Sequence, residues 1–159
     1  YFLVLIHHCE KGKAEEICVR FELTPRLRKC FVHDRINAER CLYWLERSLP
    51  VENSGLYHRL SAFRTELILF MMATTNQEKV KKAISLYCTN LRRTSISLQG
   101  EDLKALGLEP GPMYRRIFQA VFEAKLNGRA GTREDELTLA RRLVHDHDAP
   151  AAASPRVEA

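Results

Sequence analysis

The spacing of apolar residues is helical along almost the whole chain, and this spacing constrains the fold more than any other feature. It is clearest over residues 77–93, where the apolar positions form one stripe: Val80, Ile84, Tyr87, Cys88 and Leu91. Alternating apolar and polar runs, which would indicate half-buried strands, are short. We therefore predict an all-α fold, a bundle-like array of about seven or eight short helices.

Turn-forming residues mark a linker at 50–55, where proline, asparagine, serine and glycine occur within six positions. The linker divides the chain into a helical body segment at 1–49 and a C-terminal helical tail domain at 56–144. From His145 onward the composition turns to histidine, aspartate, alanine and proline, so 145–159 is expected to be a disordered tail. The chain begins with an apolar run and no initiator methionine, and we expect it to be part of a longer protein.

In the body segment, Thr24 and Pro25 are typical of a helix start, with proline at the first helical position. This helix is expected to reach about Leu49, with a break near 34–37. Leu27 and Trp44 are among its candidate core residues.

The net charge of +5 favours an anionic partner, although solubility alone could account for it. The opening apolar run is six residues long, far short of a membrane span. Five cysteines are scattered without a C-x-x-C pair, which is typical of buried or half-buried thiols in a reducing compartment. We predict a cytoplasmic protein that does not contact membranes.

A basic sector lies opposite the apolar stripe of residues 77–93. At 100° per residue, six side chains share an arc of roughly 120°, and we expect no acid among them. They are Lys81, Lys82, Ser85, Thr89, Arg92 and Arg93. Cations and hydroxyls spaced along one face suit the phosphates of RNA, whereas the alternative is a solvated helix face.

A second candidate for phosphate binding is the turn at 100–112. Gly107 can end a short helix in the left-handed conformation, and Pro112 can begin the next one. Gly111 allows close backbone approach, and Arg115 and Arg116 follow within one helical turn. Free amides, a helix dipole and two cations together suit a phosphate, and the alternative is a capped joint with two solvated arginines.

Signals for catalysis are weak. His33 and Asp34, with His7 or His8, resemble part of the ligand set of metal-dependent phosphohydrolases, but later ligands have no convincing source. Nucleophile-elbow, Walker and dinucleotide-binding motifs do not occur. We assign no catalytic residue and no metal ligand to this chain.

The region from about Leu56 to Leu143 resembles the C-terminal part of bacterial tRNA nucleotidyltransferases of the poly(A) polymerase family, which are CCA-adding or A-adding. The residues that carry the resemblance are Gly100, Asp102, Leu103, Leu106, Gly107, Pro110, Gly111, Pro112, Tyr114, Ile117, Leu126, Gly128, Thr132 and Glu134 to Leu137. One position departs from the family pattern, because many members have glycine where this chain has Arg115.

The resemblance implies a helical body and tail that grip the outer elbow of tRNA and hold its 3′ end in a catalytic head. That head would lie upstream and would use ATP, or CTP and ATP, with Mg²⁺ held by an Asp-x-Asp pair. This chain offers only Asp146-x-Asp148, in a different setting, so we expect no cofactor in it. Two alternatives stay open: a helical protein-interaction module and a phosphohydrolase-like metal domain using His33 and Asp34.

Overall fold

The computed structural model describes residues 2–148, and within that range all regular structure is helical. The helices are α1 (Phe2–Leu5), α2 (Lys11–Arg20), α3 (Pro25–Lys29), a π-helical segment (Cys30–Asp34), α4 (Arg35–Ser48), α5 (Asn53–Ser61), α6 (Thr65–Thr74), α7 (Glu78–Thr89), a 3₁₀ turn (Leu91–Arg93), α8 (Gly100–Ala105), α9 (Pro112–Leu126) and α10 (Arg133–Asp148). The predicted all-α class is confirmed. In this range there are nine helices if α3, the π-helical segment and α4 are counted as one continuous helix and the 3₁₀ turn is left out. Seven of the nine have at least seven residues.

The chain divides into two compact units between Arg93 and Thr94. We call the described residues 2–93 unit 1 and the described residues 94–148 unit 2. This division differs from the predicted linker at 50–55, which joins α4 to α5 inside unit 1. Of the predicted disordered tail, the first four residues continue α10 to Asp148, and the rest lies outside the described residues.

The core of unit 1 is made by the faces of α4 to α7 that turn inward. Its largest fully buried side chains are Leu45, Leu60, Leu67, Ile68, Met71, Val80 and Ile84. The stripe predicted on residues 77–93 is confirmed, since Tyr87 and Leu91 are also buried and Cys88 is half-buried. A smaller cluster joins α1 and α2 to the π-helical segment through Ile6, Ala14, Cys18 and Val32. Helical apolar spacing therefore selects the faces that pack.

The core of unit 2 lies between α8, α9 and α10. Its buried members are Leu98, Leu103, Ile117, Val121, Ala140 and Val144. Ile117 and Val121 are one helical turn apart on α9, as are Ala140 and Val144 on α10, so each helix presents one apolar face to the other. Leu98, just before α8, and Leu103, on α8, cover the packed faces of α9 and α10.

The predicted break near 34–37 is wrong, because the chain stays helical from Pro25 to Ser48. No proline or glycine follows Pro25 until Pro50, so nothing in the sequence interrupts the backbone hydrogen bonds. The irregularity is instead the π-helical segment, which widens the helix just before Arg35. Leu27, predicted in the core, is 39% exposed, because α3 contributes no buried residue.

Three helices end in the same motif, with a residue in the left-handed conformation just after the last turn. Gly107 has φ of 86° after α8, which confirms the sequence-based prediction, and Gly128 has φ of 73° after α9. After α2 the position is held by Glu22, with φ of 52°. In each case the left-handed residue and its successor donate amide bonds back into the last helical turn, a Schellman motif.

This difference predicts opposite effects of substitution at Glu22 and Gly107. Glu22→Gly is expected to raise the free energy of unfolding by about 0.5 kcal/mol, since relief of left-handed strain exceeds the added freedom of the unfolded chain. Gly107→Val is expected to lower the free energy of unfolding by about 1 kcal/mol or more, because valine resists the left-handed conformation. A steric clash would not be the cause, since a Cβ there meets nothing within 4 Å. Urea denaturation checks both. Gly12→Ala, an added methyl in equally open space inside α2, is the control and is expected to cause no loss.

Candidate nucleic-acid interface

The candidate residues of the basic sector lie on two elements of unit 1. Four are on α7 (Lys81, Lys82, Ser85 and Thr89), and two are on the 3₁₀ turn (Arg92 and Arg93). All are exposed except Lys81, whose neighbours half-cover it. The single helix predicted over 77–93 is wrong at its end, because α7 stops at Thr89 and Asn90 after it has a φ of −115°, far from the usual helical value. The two arginines therefore continue the basic surface but not the helical arc.

The expectation that this sector holds no acid is also wrong. Glu78 lies three residues before Lys81, inside the same arc, and its carboxylate is 3.0 Å from the Lys81 ammonium nitrogen. The Lys81 side chain is 41% exposed and that of Glu78 is 73% exposed, so solvent screens the pair, which contributes only about 0.2–0.5 kcal/mol and could be displaced by a phosphate. Lys82, Arg92 and Arg93 are then the main cations of this surface.

Two contacts orient the rest of the sector. The Arg92 guanidinium donates a hydrogen bond of 2.9 Å to the hydroxyl of Thr65, at the start of α6. This uses one of its five N–H donors and leaves the others for a ligand. The Thr89 hydroxyl donates to the carbonyl of Ser85 at 2.9 Å, so its lone pairs stay available as acceptors.

The second candidate site, the turn of unit 2, is held in shape by Tyr114. Its hydroxyl donates to the carbonyl of Leu108 at 3.0 Å, and its ring packs 3.7 Å from where a Cβ on Gly100 would be. The ring also meets Phe118 edge-on. The half-buried Tyr114 ring therefore stabilises the turn from within the fold.

Arg115 and Arg116 are exposed in the first two turns of α9, which has no acidic residue in its first turn. Pro112 is the first residue of this helix, as predicted, and Gly111 before it is extended with φ of −174°. A Cβ at Gly111 would come no closer than 3.8 Å to other atoms of the chain. The fold itself therefore does not require glycine there, and the exposed turn is open to another molecule.

An open groove of about 390 Å³ lies between α9 and α10, beside this turn. Its floor is apolar, with Met113, Ile117 and Leu143, and its two charged members are Arg116 and Asp146. The groove lies wholly within unit 2. The nine candidate residues thus form two groups, six in unit 1 and three in unit 2.

The alternative metal site gains no support from the geometry. His33 is exposed in the π-helical segment, whereas His7 lies against His8, with ring centroids 4.6 Å apart, and 3.5 Å from the Glu39 carboxylate. Among the residues described, no three histidine, cysteine, aspartate or glutamate side chains come together as a metal ion requires. Of the pair at 146 and 148, only Asp146 belongs to the residues whose side chains are described.

Sequence reasoning missed two buried charged residues, Arg35 and Glu136. Glu136 is fully buried, and its carboxylate accepts hydrogen bonds from the amides of Ser97 and Leu98, at 2.7 and 2.9 Å, and from the Lys125 ammonium at 2.5 Å. Burial works to raise the pKa of Glu136, but these three donors outweigh it and hold the pKa below its ordinary value. The sequence did carry a signal for the burial of Glu136, because its position on α10 shares a helix face with Ala140 and Val144.

Neighbouring residues at the start of α10 cap the helix. The amide of Asp135 donates to the Thr132 hydroxyl, and the Asp135 carboxylate accepts from the amides of Thr132 and Gly131. The bond from the Thr132 amide, then those from its hydroxyl and from Gly131, lower the pKa of Asp135. Thr132 and Asp135 thus form a capping box.

The cysteines match their predicted environments. Cys18, Cys30 and Cys41 are buried, Cys9 and Cys88 are half-buried, and all are free thiols. Burial raises the pKa of the three buried thiols, so they stay protonated and unreactive. Within residues 2–148, no helix has both the length and the apolar character that crossing a membrane requires.

Comparison with known proteins confirms the resemblance found in the sequence. The chain is 35% identical, over 148 residues, to an A-adding tRNA nucleotidyltransferase of Geobacter sulfurreducens. The match covers 91% of this chain and falls in a C-terminal region of that protein. This chain spans only 17% of the length of that relative. No protein-family model matches the chain, and no solved structure matches it.

Proposed function

We propose that this chain, which is similar to a C-terminal region of an A-adding tRNA nucleotidyltransferase, binds tRNA and positions its 3′ end for nucleotide addition. The catalytic head would lie upstream in a longer protein and would be a second partner of the chain. The observation that carries the proposal is the 35% identity over 91% of the chain, because a match this extended includes both units. The two groups of exposed cations supply the chemistry.

The proposed contacts are with phosphates rather than with base edges. Lys82, Arg92 and Arg93 offer exposed N–H donors in unit 1, and Arg115 and Arg116 offer them in unit 2. Such contacts fix where a nucleic acid lies but carry no sequence information, which suits an enzyme that must accept many tRNAs. Lys81, Ser85, Thr89 and the open turn at Gly111 complete the proposed interface.

The transfer chemistry belongs, in this proposal, to the upstream head. ATP, or CTP and ATP, would be the nucleotide donor, and Mg²⁺ would assist displacement at the α-phosphate. The described residues of this chain present no cluster of ligands that fits such an ion, so its own part is binding and orientation. A cytoplasmic location is also part of the proposal, since five free, unpaired cysteines suit a reducing compartment.

A helical protein-interaction module is the second candidate, and one observation favours it. Val4, Leu5 and Leu69 are 45%, 78% and 55% exposed, and Val4 and Leu69 line an open groove between α1 and α6. Exposed apolar side chains around a groove are typical of surfaces that meet another protein. A chain that shows no salt-dependent affinity for tRNA would favour this candidate.

Binding of tRNA across a salt series tests the proposal. The quadruple variant Lys81→Ala, Lys82→Ala, Arg92→Ala and Arg93→Ala is expected to weaken binding and to reduce the slope of log affinity against log salt by about 0.9 for each phosphate that is no longer neutralised. Arg115→Ala with Arg116→Ala is expected to reduce it by about 1 to 2 on the same reasoning. Fluorescence anisotropy between about 50 and 200 mM salt measures both slopes.

The matched control removes the same charge from another exposed surface of unit 1: Lys11→Ala, Lys13→Ala, Arg20→Ala and Arg26→Ala. Its slope is expected to stay close to that of the original chain. Equal losses of affinity in both quadruple variants would show that only net charge matters and that the named residues form no site. Absence of binding by the original chain at about 50 mM salt would contradict the proposal for this chain.

A further inference from the structure

A row of cationic and aromatic side chains lies on α4, outside both groups of candidate residues. Arg40, Tyr43 and Arg47 are all exposed, and their spacing of three and four places them on one face of the helix. The Arg47 guanidinium lies over the Tyr43 ring, 4.3 Å from its centroid. Beside them the Arg59 guanidinium of α5 lies over the Trp44 ring, also at 4.3 Å. We call these five residues the stacking surface.

The two acids of α4 that border this surface are held by other residues. The Glu39 carboxylate accepts a bond of 2.6 Å from buried Arg35, and the Glu46 carboxylate accepts one of 3.0 Å from the buried Thr75 hydroxyl. The stacking surface itself consists of three cations and two rings. Its charge therefore favours an anionic partner.

The exposure of Tyr43 is the unusual feature. Its side chain is 55% exposed, although Cys41, Leu42 and Leu45 on either side of it are buried. A guanidinium that lies over a ring restrains the orientation of that ring, and an exposed pair of this kind offers flat π-surfaces to a ligand. Trp44, which sequence reasoning placed in the core, is only half-buried and carries its own guanidinium.

We infer that this surface stacks an unpaired nucleotide of RNA, with Tyr43 or its guanidinium partner against the base and Arg40 near a phosphate. Flat rings and guanidinium planes complement a base, and cations complement the phosphate next to it, whereas an acidic peptide would use only the cations. Paired bases are stacked on each other, so the partner would be a loop or a single-stranded end. This deepens the proposed function, on which it rests, by naming a further contact and the form of RNA bound.

The surface contains its own reporter, because Trp44 is the one tryptophan of the chain. The test follows Trp44 fluorescence while the chain is titrated with an oligoadenylate of about ten nucleotides, a length within the usual range of single-strand sites. An abasic oligonucleotide of the same length and polyglutamate are the control ligands. Quenching by oligoadenylate, and by neither control, is the expected result.

Tyr43→Ala is expected to weaken oligoadenylate binding about tenfold, the usual effect of losing one stacked base, while Tyr43→Phe retains it. Phe21→Ala, which removes an aromatic side chain that is 65% exposed elsewhere in unit 1, is the matched control and should bind like the original chain. Circular dichroism melting of each variant separates loss of binding from loss of fold.

Three results would overturn the inference. Unchanged binding by Tyr43→Ala would exclude stacking, and equal quenching by the abasic ligand would show charge contacts alone. Equal quenching by polyglutamate would indicate an acidic protein as the partner. The two proposals can also fail separately. If the two basic groups still control the salt dependence of tRNA binding while Tyr43→Ala leaves the affinity for tRNA unchanged, this inference fails and the proposed function stands.

Discussion

Replacing Glu136 with leucine is expected to lower the free energy of unfolding by about 3 to 5 kcal/mol, the usual cost of breaking a buried ion pair. The carboxylate is fully buried and joins three segments of unit 2: the stretch at Ser97 and Leu98, Lys125 on α9, and its own helix. Leucine has a similar volume, so the loss comes from donors left without an acceptor rather than from a cavity. Urea denaturation measures it.

The control for this variant is Glu134→Leu, which makes the same chemical change two residues earlier at an exposed position. Its effect is expected to stay within about 0.5 kcal/mol. Glu136→Gln should fall between the two, because an amide keeps one acceptor but turns an N–H towards other donors. A Glu136→Leu protein as stable as the original would show that water replaces the carboxylate.

The same site predicts how stability depends on pH. Because the folded protein holds the pKa of Glu136 below its ordinary value, the ionised carboxylate stabilises the fold at every pH above the unfolded pKa, about 4.3. That contribution is lost as the pH falls from there through the folded pKa. The difference in unfolding free energy between the original chain and Glu136→Gln should therefore shrink below about pH 4.3 and stay constant above it.

The sequence predicts the helices of this protein better than it predicts their ends. The stripe from Val80 to Leu91 is correct because burial of one face enforces helical spacing. The end of α7 at Thr89 was missed because the 3₁₀ turn that follows still carries Leu91 into the core, so the apolar pattern continues without a signal. Glycine and proline at 107, 111 and 112 predicted the turn correctly, since few other residues suit those backbone positions.

The candidate sites were harder to predict, because exposure depends on tertiary packing. Residue type indicated the cations, but an aromatic residue such as Trp44 was assigned to the core on spacing alone. Arg35 and Glu136 produced the opposite error, since charged residues are almost never fully buried unless they are paired. Each also has a distant partner, Cys9 for Arg35 and Ser97 for Glu136, which lie 26 and 39 residues away, where helical spacing carries no information.

The residues that carry the family resemblance prove to hold the fold. Leu103 is buried, Gly107 and Gly128 end helices, Thr132 and Asp135 form a cap, and Glu136 joins the segments of unit 2. These positions are therefore explained by the fold alone, and evidence about tRNA has to come from the exposed cations.

The second large effect is expected in unit 1, where Arg35→Ala should cost about 3 to 5 kcal/mol of unfolding free energy. Arg35 is 2% exposed, and its guanidinium donates four hydrogen bonds. It donates to the carbonyls of Phe31, His7 and Cys9, at 3.1, 2.8 and 3.0 Å, and to the Glu39 carboxylate at 2.6 Å. Alanine would remove the donor from these part-buried acceptors and would release the connection between α1 and α2 from α4.

Two further measurements separate this role from a general loss of packing. Arg35→Lys keeps the charge, but an ammonium cannot reach carbonyls on both sides as a guanidinium does, so it should recover less than half of the loss. Amide hydrogen exchange should rise first between His7 and Cys9, because that segment loses its anchor, while α7 stays protected. Arg26→Ala, at an exposed position of α3, is the control and should change neither quantity. Unchanged exchange at His7 and Cys9 in Arg35→Ala would show that α1 and α2 are held by their apolar contacts with the π-helical segment alone.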